Sequence, residues 1–181
     1  MLHLKNITAG NPKTAEQYQM TKRHSIVWLF SEDGKNWYEE QKNFASDTIK
    51  MVYTGDGRVV WVGKDVTGIE PRNASVIEVP DITANRRITA PGYWFYRNDE
   101  FVFDYKLKAE DERDALLKQV SIMTSDWEKD LLLGLISDED REKLKAYRIY
   151  AKSLQAMDFS PITDKTSYNA IEWPVSPEAS S

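Results

Sequence analysis

The stretch Ser25-Ile26-Val27-Trp28-Leu29-Phe30 is followed by Ser31-Glu32-Asp33-Gly34-Lys35 and then by Asn36-Trp37-Tyr38. Asp-Gly between two apolar runs is typical of a β-hairpin, because glycine tolerates the positive φ that such a turn requires. Alternate residues of a strand point to opposite faces, so the first run would be apolar on both faces. The neighbouring sequence offers no obvious second cover. We therefore predict a hairpin that is buried against another element or another chain.

Residues 1–107 carry further strand patterns that are separated by turn residues. Segments 48–53 and 58–62 flank Thr54-Gly55-Asp56-Gly57, which predicts a second hairpin. Segment 75–79 predicts a short strand that Pro80 ends. Segments 93–96 and 100–105 predict a third hairpin around Arg97-Asn98-Asp99.

The pattern becomes helical at Lys108. Apolar residues recur in steps of three and four up to Leu131, which is typical of an amphipathic helix. Gly134 is suited to end this helix, and Ser137 is suited to cap the next one. Two helices joined by so few residues lie antiparallel.

These patterns predict an α+β fold with antiparallel β-hairpins, then a C-terminal antiparallel helical hairpin and an extended tail. The predicted parts are a β-rich domain at 1–107, the helical hairpin at 108–158 and the tail at 159–181. Because the tail carries Ile171 and Trp173, we expect these two side chains to dock.

Composition and charge argue against several classes of protein. The chain is 41% hydrophobic and 29% charged, which is ordinary globular composition. No apolar run approaches the roughly 20 residues that span a bilayer, and no signal peptide is recognisable, so we predict a cytoplasmic protein without membrane association. Residues 1–107 are neutral and residues 108–181 carry a net charge of −5, which argues against nucleic-acid binding.

The sequence contains no recognisable catalytic, cofactor or metal motif. There is no cysteine, and the two histidines, His3 and His24, have no ligand spacing. The Asp33-Gly34 and Asp56-Gly57 pairs lack the alternating oxygen ligands of a calcium loop, and hairpin turns explain both. We predict a protein that is not an enzyme and that uses no cofactor and no metal.

The sequence resembles the tail fibre assembly proteins of tailed phages and enterobacterial prophages. The resemblance is carried by Leu4-Lys5-Asn6-Ile7-Thr8-Ala9-Gly10-Asn11-Pro12-Lys13-Thr14, Tyr18-Gln19-Met20-Thr21-Lys22, Trp28-Leu29-Phe30-Ser31-Glu32-Asp33-Gly34-Lys35-Asn36-Trp37-Tyr38, Phe44, 47–50, 79–87, 147–154, Ile171-Glu172-Trp173-Pro174 and Pro177. It extends from one end of the chain to the other.

The resemblance implies a chaperone, without enzymatic activity, that promotes folding and trimerisation of a cognate tail fibre. Its partner would be the receptor-binding C-terminal end of that fibre, which links the chaperone to host specificity. It would act in the cytoplasm of the bacterial host or remain on the fibre tip in the virion. A homo-oligomer and one copy per fibre chain are both compatible with this role.

The aromatic residues of the N-terminal hairpin are the candidate fibre-contacting surface: Trp28, Phe30, Trp37 and Tyr38. Aromatic side chains are enriched at protein interfaces, but the same four residues could equally form a core. The helical hairpin could instead carry self-association or the fibre contact. A second hypothesis is a glycan-binding adhesin at the fibre tip, for which Asn98 and Asp99 beside Tyr96 are the nearest match. A glycan-cleaving enzyme is a remote third option, because no carboxylate pair can be nominated.

Overall fold

The computed structural model describes residues 1–180. It divides into two compact units, Met1–Phe103 and Asp104–Ser181. Antiparallel sheets lie in the first unit and helices make up the second, so the predicted α+β class is confirmed. The three-part division at 107 and 158 stays a prediction. Ser181, the last residue of the predicted tail, lies outside the described residues.

The first unit contains seven strands and three short helices among its described elements. In chain order they are β1 His3–Gly10, α1 Ala15–His24, β2 Trp28–Phe30, α2 Trp37–Glu40, β3 Ile49–Thr54, β4 Val59–Gly63, β5 Ala74–Val79, α3 Thr83–Arg86, β6 Trp94–Arg97 and β7 Glu100–Phe103, with a 3-10 turn at Gln41–Asn43.

Five of these strands form one antiparallel sheet in the order β2-β1-β5-β3-β4. The longest ladder joins β3 to β5 and runs from the pair Ile49–Val79 to the pair Thr54–Ala74. β1 pairs with β5 on one side and with β2 on the other, so the N-terminal segment lies inside the sheet. Sequence patterns did not predict this strand.

Both faces of the sheet are covered from within the first unit. On β3, Val52 belongs to one apolar cluster, and Ile49 and Met51 belong to another, as the alternation of strand side chains requires. The first cluster includes Trp37 of α2 and the loop residue Val66. Ile88, together with Trp94 and Phe101 of the β6–β7 hairpin, packs in the second cluster. Each face of the sheet therefore packs against its own apolar cluster, which accounts for strands that are apolar on both faces.

The predicted pairing of 25–30 with Asn36-Trp37-Tyr38 is wrong. Trp28–Phe30 is a strand, but it pairs with β1 through Thr8–Phe30 and Gly10–Trp28, and only an isolated bridge joins Phe30 to Asn36. The chain turns into α2 because the Asn36 side chain accepts a hydrogen bond of 3.0 Å from the Tyr38 backbone N–H. Asparagine is a strong helix N-cap, and here it ends the extended conformation.

The other hairpins are confirmed. β3 pairs with β4 and β6 pairs with β7, both antiparallel, and β5 occupies the predicted strand before Pro80. The last strand is shorter than predicted, because Tyr105 already belongs to a helix. The Asp104 side chain accepts a hydrogen bond of 2.9 Å from the Leu107 backbone N–H and caps that helix.

The second unit contains α4 Tyr105–Leu133, α5 Asp138–Gln155, α6 Lys165–Asn169 and a 3-10 turn at Pro177–Ser180. α4 and α5 form the predicted helical hairpin. Its core contains Val120 of α4 and Tyr147, Tyr150 and Leu154 of α5. As predicted, Trp173 docks, packing against this cluster with its ring 5.7 Å from that of Phe159.

The segment after α5 was predicted to be an extended tail, but it contains α6 and a 3-10 turn. A capping box begins α6, in which Asp164 accepts from the Ser167 backbone N–H at 2.8 Å and the Ser167 hydroxyl accepts from the Asp164 N–H at 3.1 Å. Reciprocal caps of this kind satisfy two backbone donors at once. Tyr168 of the same helix donates its hydroxyl to Glu112 of α4 at 2.6 Å.

Candidate partner-binding surface

The structure buries three of the four aromatic residues that were predicted to contact a partner. Trp37 is completely buried, Trp28 and Phe30 are buried, and Tyr38 is 40% exposed. A buried side chain presents little area to another chain in this conformation. Among the four, Tyr38 alone offers substantial accessible surface. The prediction that this group contacts a fibre stays a prediction.

Helix α1 accounts for the burial of Trp28 and for much of the cover over β2. The Trp28 indole N–H donates to the Thr21 hydroxyl at 2.8 Å and lies 3.2 Å from the Gln17 carbonyl oxygen. The ammonium of Lys13 lies 4.0 Å from the centre of the Phe30 ring, on the segment that leads into α1. The cover that the sequence did not reveal is thus supplied by residues 13–21.

Trp37 packs in the first apolar cluster, with its ring 6.0 Å from that of Phe44. Within residues 1–180, its buried indole N–H has no hydrogen-bond partner. An unpaired buried donor costs free energy, so the packing of the ring has to offset that cost. Trp37 holds α2 against the sheet and thereby fixes the position of the adjacent Tyr38.

Tyr38 borders a groove that we call the Tyr38 groove. Its cavity measures about 510 Å³ and is lined by Met20, Ile26, Val27, Trp28, Tyr38 and Arg72, among others. The Tyr38 hydroxyl donates to the Val27 carbonyl oxygen at 3.0 Å, and its ring meets Trp28 edge to face at 5.8 Å. Partial burial, and to a lesser degree Glu70, raise the pKa of Tyr38, so the phenol is neutral at physiological pH. The groove is a mainly apolar surface.

A second apolar surface lies at the turn between α4 and α5, and we call it the leucine tip. It consists of Leu131, Leu132, Leu133 and Leu135, which are 47%, 87%, 71% and 72% exposed. Sequence reasoning placed Leu131 on the core stripe and missed the others. The available signal was three successive leucines, because consecutive helical residues cannot all lie on one face.

Four polar and aromatic residues of the first unit form a hydrogen-bonded cluster. His3 Nε2 lies 2.7 Å from the Tyr53 hydroxyl, and the Tyr96 hydroxyl donates to Asp99 at 3.1 Å. Burial lowers the pKa of His3, and burial with the Asp99 hydrogen bond raises the pKa of Tyr96 to about 12. Both groups are therefore neutral at pH 7. The Tyr96 ring lies 5.6 Å from that of His3 and 4.8 Å from that of Tyr53, so ring contacts join β1, β3 and β6, and this arrangement is structural.

No three or more His, Asp or Glu side chains of residues 1–180 come together in a group that could hold a metal ion. Over the same range, no helix combines the length and the apolar character needed to cross a membrane.

Comparison with known proteins identifies relatives along nearly the whole chain. The family model "Caudovirales tail fibre assembly protein, lambda gpK" matches residues 39–178. The chain is 49% identical over 171 residues to tail fiber assembly protein U' of Escherichia phage Mu, and 47% identical over 171 residues to the protein of the same name in Escherichia phage P1. Each match covers 90% of this chain and 97% of the relative.

A third relative, the probable tail fiber assembly protein of Escherichia phage P2, is 42% identical over 164 residues, which is 87% of this chain and 94% of that protein. The family match spans most of both structural units, and the relatives align over almost their full length. The chain belongs to the tail fibre assembly protein family of the tailed phages.

Proposed function

We propose that the protein is a chaperone for the folding and trimerisation of a bacteriophage tail fibre, and that it binds the receptor-binding C-terminal end of that fibre. The observation that carries the proposal is the match to the tail fibre assembly family over residues 39–178. Relatives in phages Mu, P1 and P2 bear the same functional name. The protein acts in the cytoplasm of the bacterial host, where the fibre is synthesised.

The physical task of such a chaperone follows from the state of its client. A fibre chain that has not yet trimerised exposes unpaired strand edges and apolar surface, both of which promote aggregation. A protein that covers these surfaces and then yields them to the other fibre chains favours the trimer. The chaperone needs accessible apolar area for this task, and the Tyr38 groove and the leucine tip both supply it.

We propose that the first unit contacts the fibre through the Tyr38 groove. This groove contains Tyr38 and Trp28 of the predicted aromatic group. Tyr38 would contact the client directly, while Trp28 borders the groove from below and Trp37 anchors α2. Tyrosine suits this role because its ring is rigid and combines an apolar face with a polar end. Phe30 would contribute by holding β2 in place and would not touch the fibre.

The decisive experiment is expression of the cognate fibre chain with and without this protein. Soluble fibre trimer, measured by sedimentation and by resistance to SDS, is expected to increase several-fold in the presence of the protein. Equal amounts of trimer in both cases would refute the chaperone function. Binding of cell-surface glycan by the isolated protein, combined with no effect on the fibre, would instead favour the adhesin hypothesis.

The contribution of the groove is tested by Tyr38→Ala, with Tyr18→Ala as a matched control. Both tyrosines are exposed, at 40% and 48%, and Tyr18 lies on α1 outside the residues that line the groove. We expect Tyr38→Ala to weaken fibre binding at least fivefold and Tyr18→Ala to leave it within twofold. Equal effects of the two substitutions would contradict the assignment of the groove.

A further inference from the structure

We propose that the leucine tip inserts into an apolar cleft of the cognate fibre that is bordered by lysine and arginine side chains. The proposal deepens the proposed function and rests on it, since it assigns a second contact with the same partner. Its starting point is the exposure of Leu132, Leu133 and Leu135, each more than two-thirds accessible. Single exposed leucines are ordinary, but four exposed leucines within residues 131–135 at one helix end mark an interaction surface.

The turn that presents these leucines is well ordered by hydrogen bonds. Gly134 has a left-handed conformation with φ of 71° and donates its N–H to the Leu131 carbonyl at 3.2 Å. The Leu135 N–H donates to the Asp130 carbonyl at 2.8 Å, which completes a Schellman motif. The hydrophobic residue after such a turn usually packs back onto its helix, whereas Leu135 stays 72% exposed.

The start of α5 fixes the other side of the turn. The Ser137 hydroxyl accepts a hydrogen bond of 3.1 Å from the Asp140 N–H and donates one of 2.8 Å to the Asp140 carboxylate. Ile136, between the two capped ends, is buried. The leucines are therefore held outward by a structured apex and lose little conformational freedom on binding, which favours affinity.

The charge around the leucine tip defines the partner. Residues 126–143 contain seven acidic and three basic side chains. The last turn of α4 contains no basic residue, although its negative helix-dipole end favours one, and it does contain Asp130. The Asp126 and Asp138 side chains are 88% and 102% accessible and form ion pairs with Lys129 at 2.8 Å and Arg141 at 3.8 Å. Further ion pairs join Lys143 to Glu139 and Asp140, and Lys145 to Glu142. An exposed helix end that lacks the favoured basic residues and carries an acidic one is typical of a functional surface.

These charges argue against a second copy of the chain as the occupant. Two leucine tips in contact would bring two acidic rims together, and like charges across an interface are unfavourable. A small apolar projection with an acidic rim is complementary to an apolar cleft with a basic rim.

The test compares the wild-type protein with the triple variant Leu132→Ser/Leu133→Ser/Leu135→Ser. The control is the double variant Ile122→Ser/Ile149→Ser, which removes exposed apolar residues from α4 and α5 away from the turn. Binding to the full-length cognate fibre is measured by titration at low and high salt. We expect the triple variant to bind at least tenfold more weakly and the control to bind within twofold of wild type.

A charge variant, Asp126→Asn/Asp138→Asn, tests the basic rim of the cleft. We expect it to weaken binding at low salt by several-fold and to reduce the salt dependence, because screening acts on exposed charges. Unchanged affinity of the triple variant, or wild-type salt dependence of the charge variant, would overturn the proposal. A wild-type dimer that becomes monomeric in the triple variant would also overturn it, by making a second copy the occupant.

Failure of this proposal is distinguishable from failure of the proposed function. If wild-type protein neither binds the fibre nor raises the amount of trimer, the chaperone function itself is wrong. If wild type does both and the triple variant performs equally well, only the assignment of the leucine tip is wrong.

Discussion

The two structural units differ in whether their most apolar segments are buried or exposed. In the first unit, strands that are apolar on both faces are covered by short local elements, and Trp37 is completely buried. In the second unit, the helical hairpin buries Tyr147 and Leu154 but leaves four leucines exposed at its turn. The four aromatic residues that were predicted to contact a partner all lie in the first unit. The accessible apolar area is more concentrated in the second.

The difference shows that hydrophobic character alone does not identify an interface. A strand segment such as Trp28–Phe30 can be covered by a neighbouring helix, because the chain has room to fold back over it. Leu131, Leu132 and Leu133 are consecutive residues in the last turn of α4, so they cannot all pack against α5, and all three stay exposed. Four variants, each with a control, test where the stability of the chain resides, and their expected effects decrease from Trp37 to the leucine tip.

Trp37→Ala should produce the largest loss of stability. Removal of a fully buried tryptophan is expected to lower the free energy of unfolding by about 3–5 kcal/mol, since it leaves a cavity beneath the sheet. Urea titration followed by circular dichroism measures this loss. The matched variant Tyr38→Ala, at the adjacent exposed position, should cost only about 1 kcal/mol, mostly through its hydrogen bond to Val27. Similar costs for the two variants would contradict the division between core and surface.

Glu78→Gln should have the next largest effect, and that effect should depend on pH. The Glu78 carboxylate accepts from the Leu2 N–H at 2.9 Å, the Ala45 N–H at 2.6 Å and the Thr48 hydroxyl at 2.7 Å. Burial opposes ionisation, but these hydrogen bonds prevail and hold the pKa of Glu78 below 4.5. We expect a loss of about 1.5–3 kcal/mol at pH 7, the range for hydrogen bonds to a charged group.

The direction of the pH dependence follows from the lowered pKa. Since the folded state binds the proton of Glu78 more weakly than the unfolded state, the carboxylate stabilises the protein above pH 4.5. That contribution disappears as the pH falls through the folded-state pKa. The difference between wild type and Glu78→Gln should therefore shrink below pH 4.5. Glu70→Gln, at a surface ion pair with Arg72, should show little difference at any pH.

Gly57→Ala should cost somewhat less, about 1–3 kcal/mol. Gly57 has φ of 89°, and an added Cβ would lie 2.5 Å from the Tyr96 carbonyl oxygen. The close approach arises because Tyr96 donates its N–H to the Gly57 carbonyl at 2.7 Å, which joins the β3–β4 turn to β6. Gly55→Ala, in the same turn with open space around it, is the control and should be almost neutral. A neutral Gly57→Ala would show that this junction is not tightly packed.

The elements with strong local signals were predictable from sequence. The β3–β4 hairpin has glycines at its turn, and the two long helices have caps at Gly134 and Ser137, so their patterns agree with the structure. The predicted pairing of Trp37 failed because Asn36 provides a helix cap at the position where a strand was expected. The alternation of apolar residues there did not distinguish one helical turn from one short strand.

Other features depend on contacts that are distant in sequence. β1 pairs with β5, more than sixty residues away, and no local pattern reveals that pairing. The burial of Trp28 depends on hydrogen bonds from its indole to Gln17 and Thr21. The leucine tip was visible as a run of leucines, but its exposure depends on where α5 packs along α4.

The leucine tip should have the smallest effect on stability. In the triple variant Leu132→Ser/Leu133→Ser/Leu135→Ser, each exposed substitution is expected to change the free energy of unfolding by no more than about 0.5 kcal/mol. Leu144→Ser, at a buried position of α5, should cost several times more than any one of these exposed substitutions, because large-to-small core substitutions cost about 2–5 kcal/mol. Thermal unfolding of both variants measures the contrast.

A large destabilisation by the triple variant would mean that the leucines are packed in solution, and the contrast between the two units would then fail. Near-neutral stability would instead mean that folding of this chain does not require them. Exposed leucines favour aggregation, and no gain in folding stability would offset this tendency. Retention of wild-type stability by the triple variant, together with loss of fibre binding, would separate the two roles and attribute the leucines to the partner.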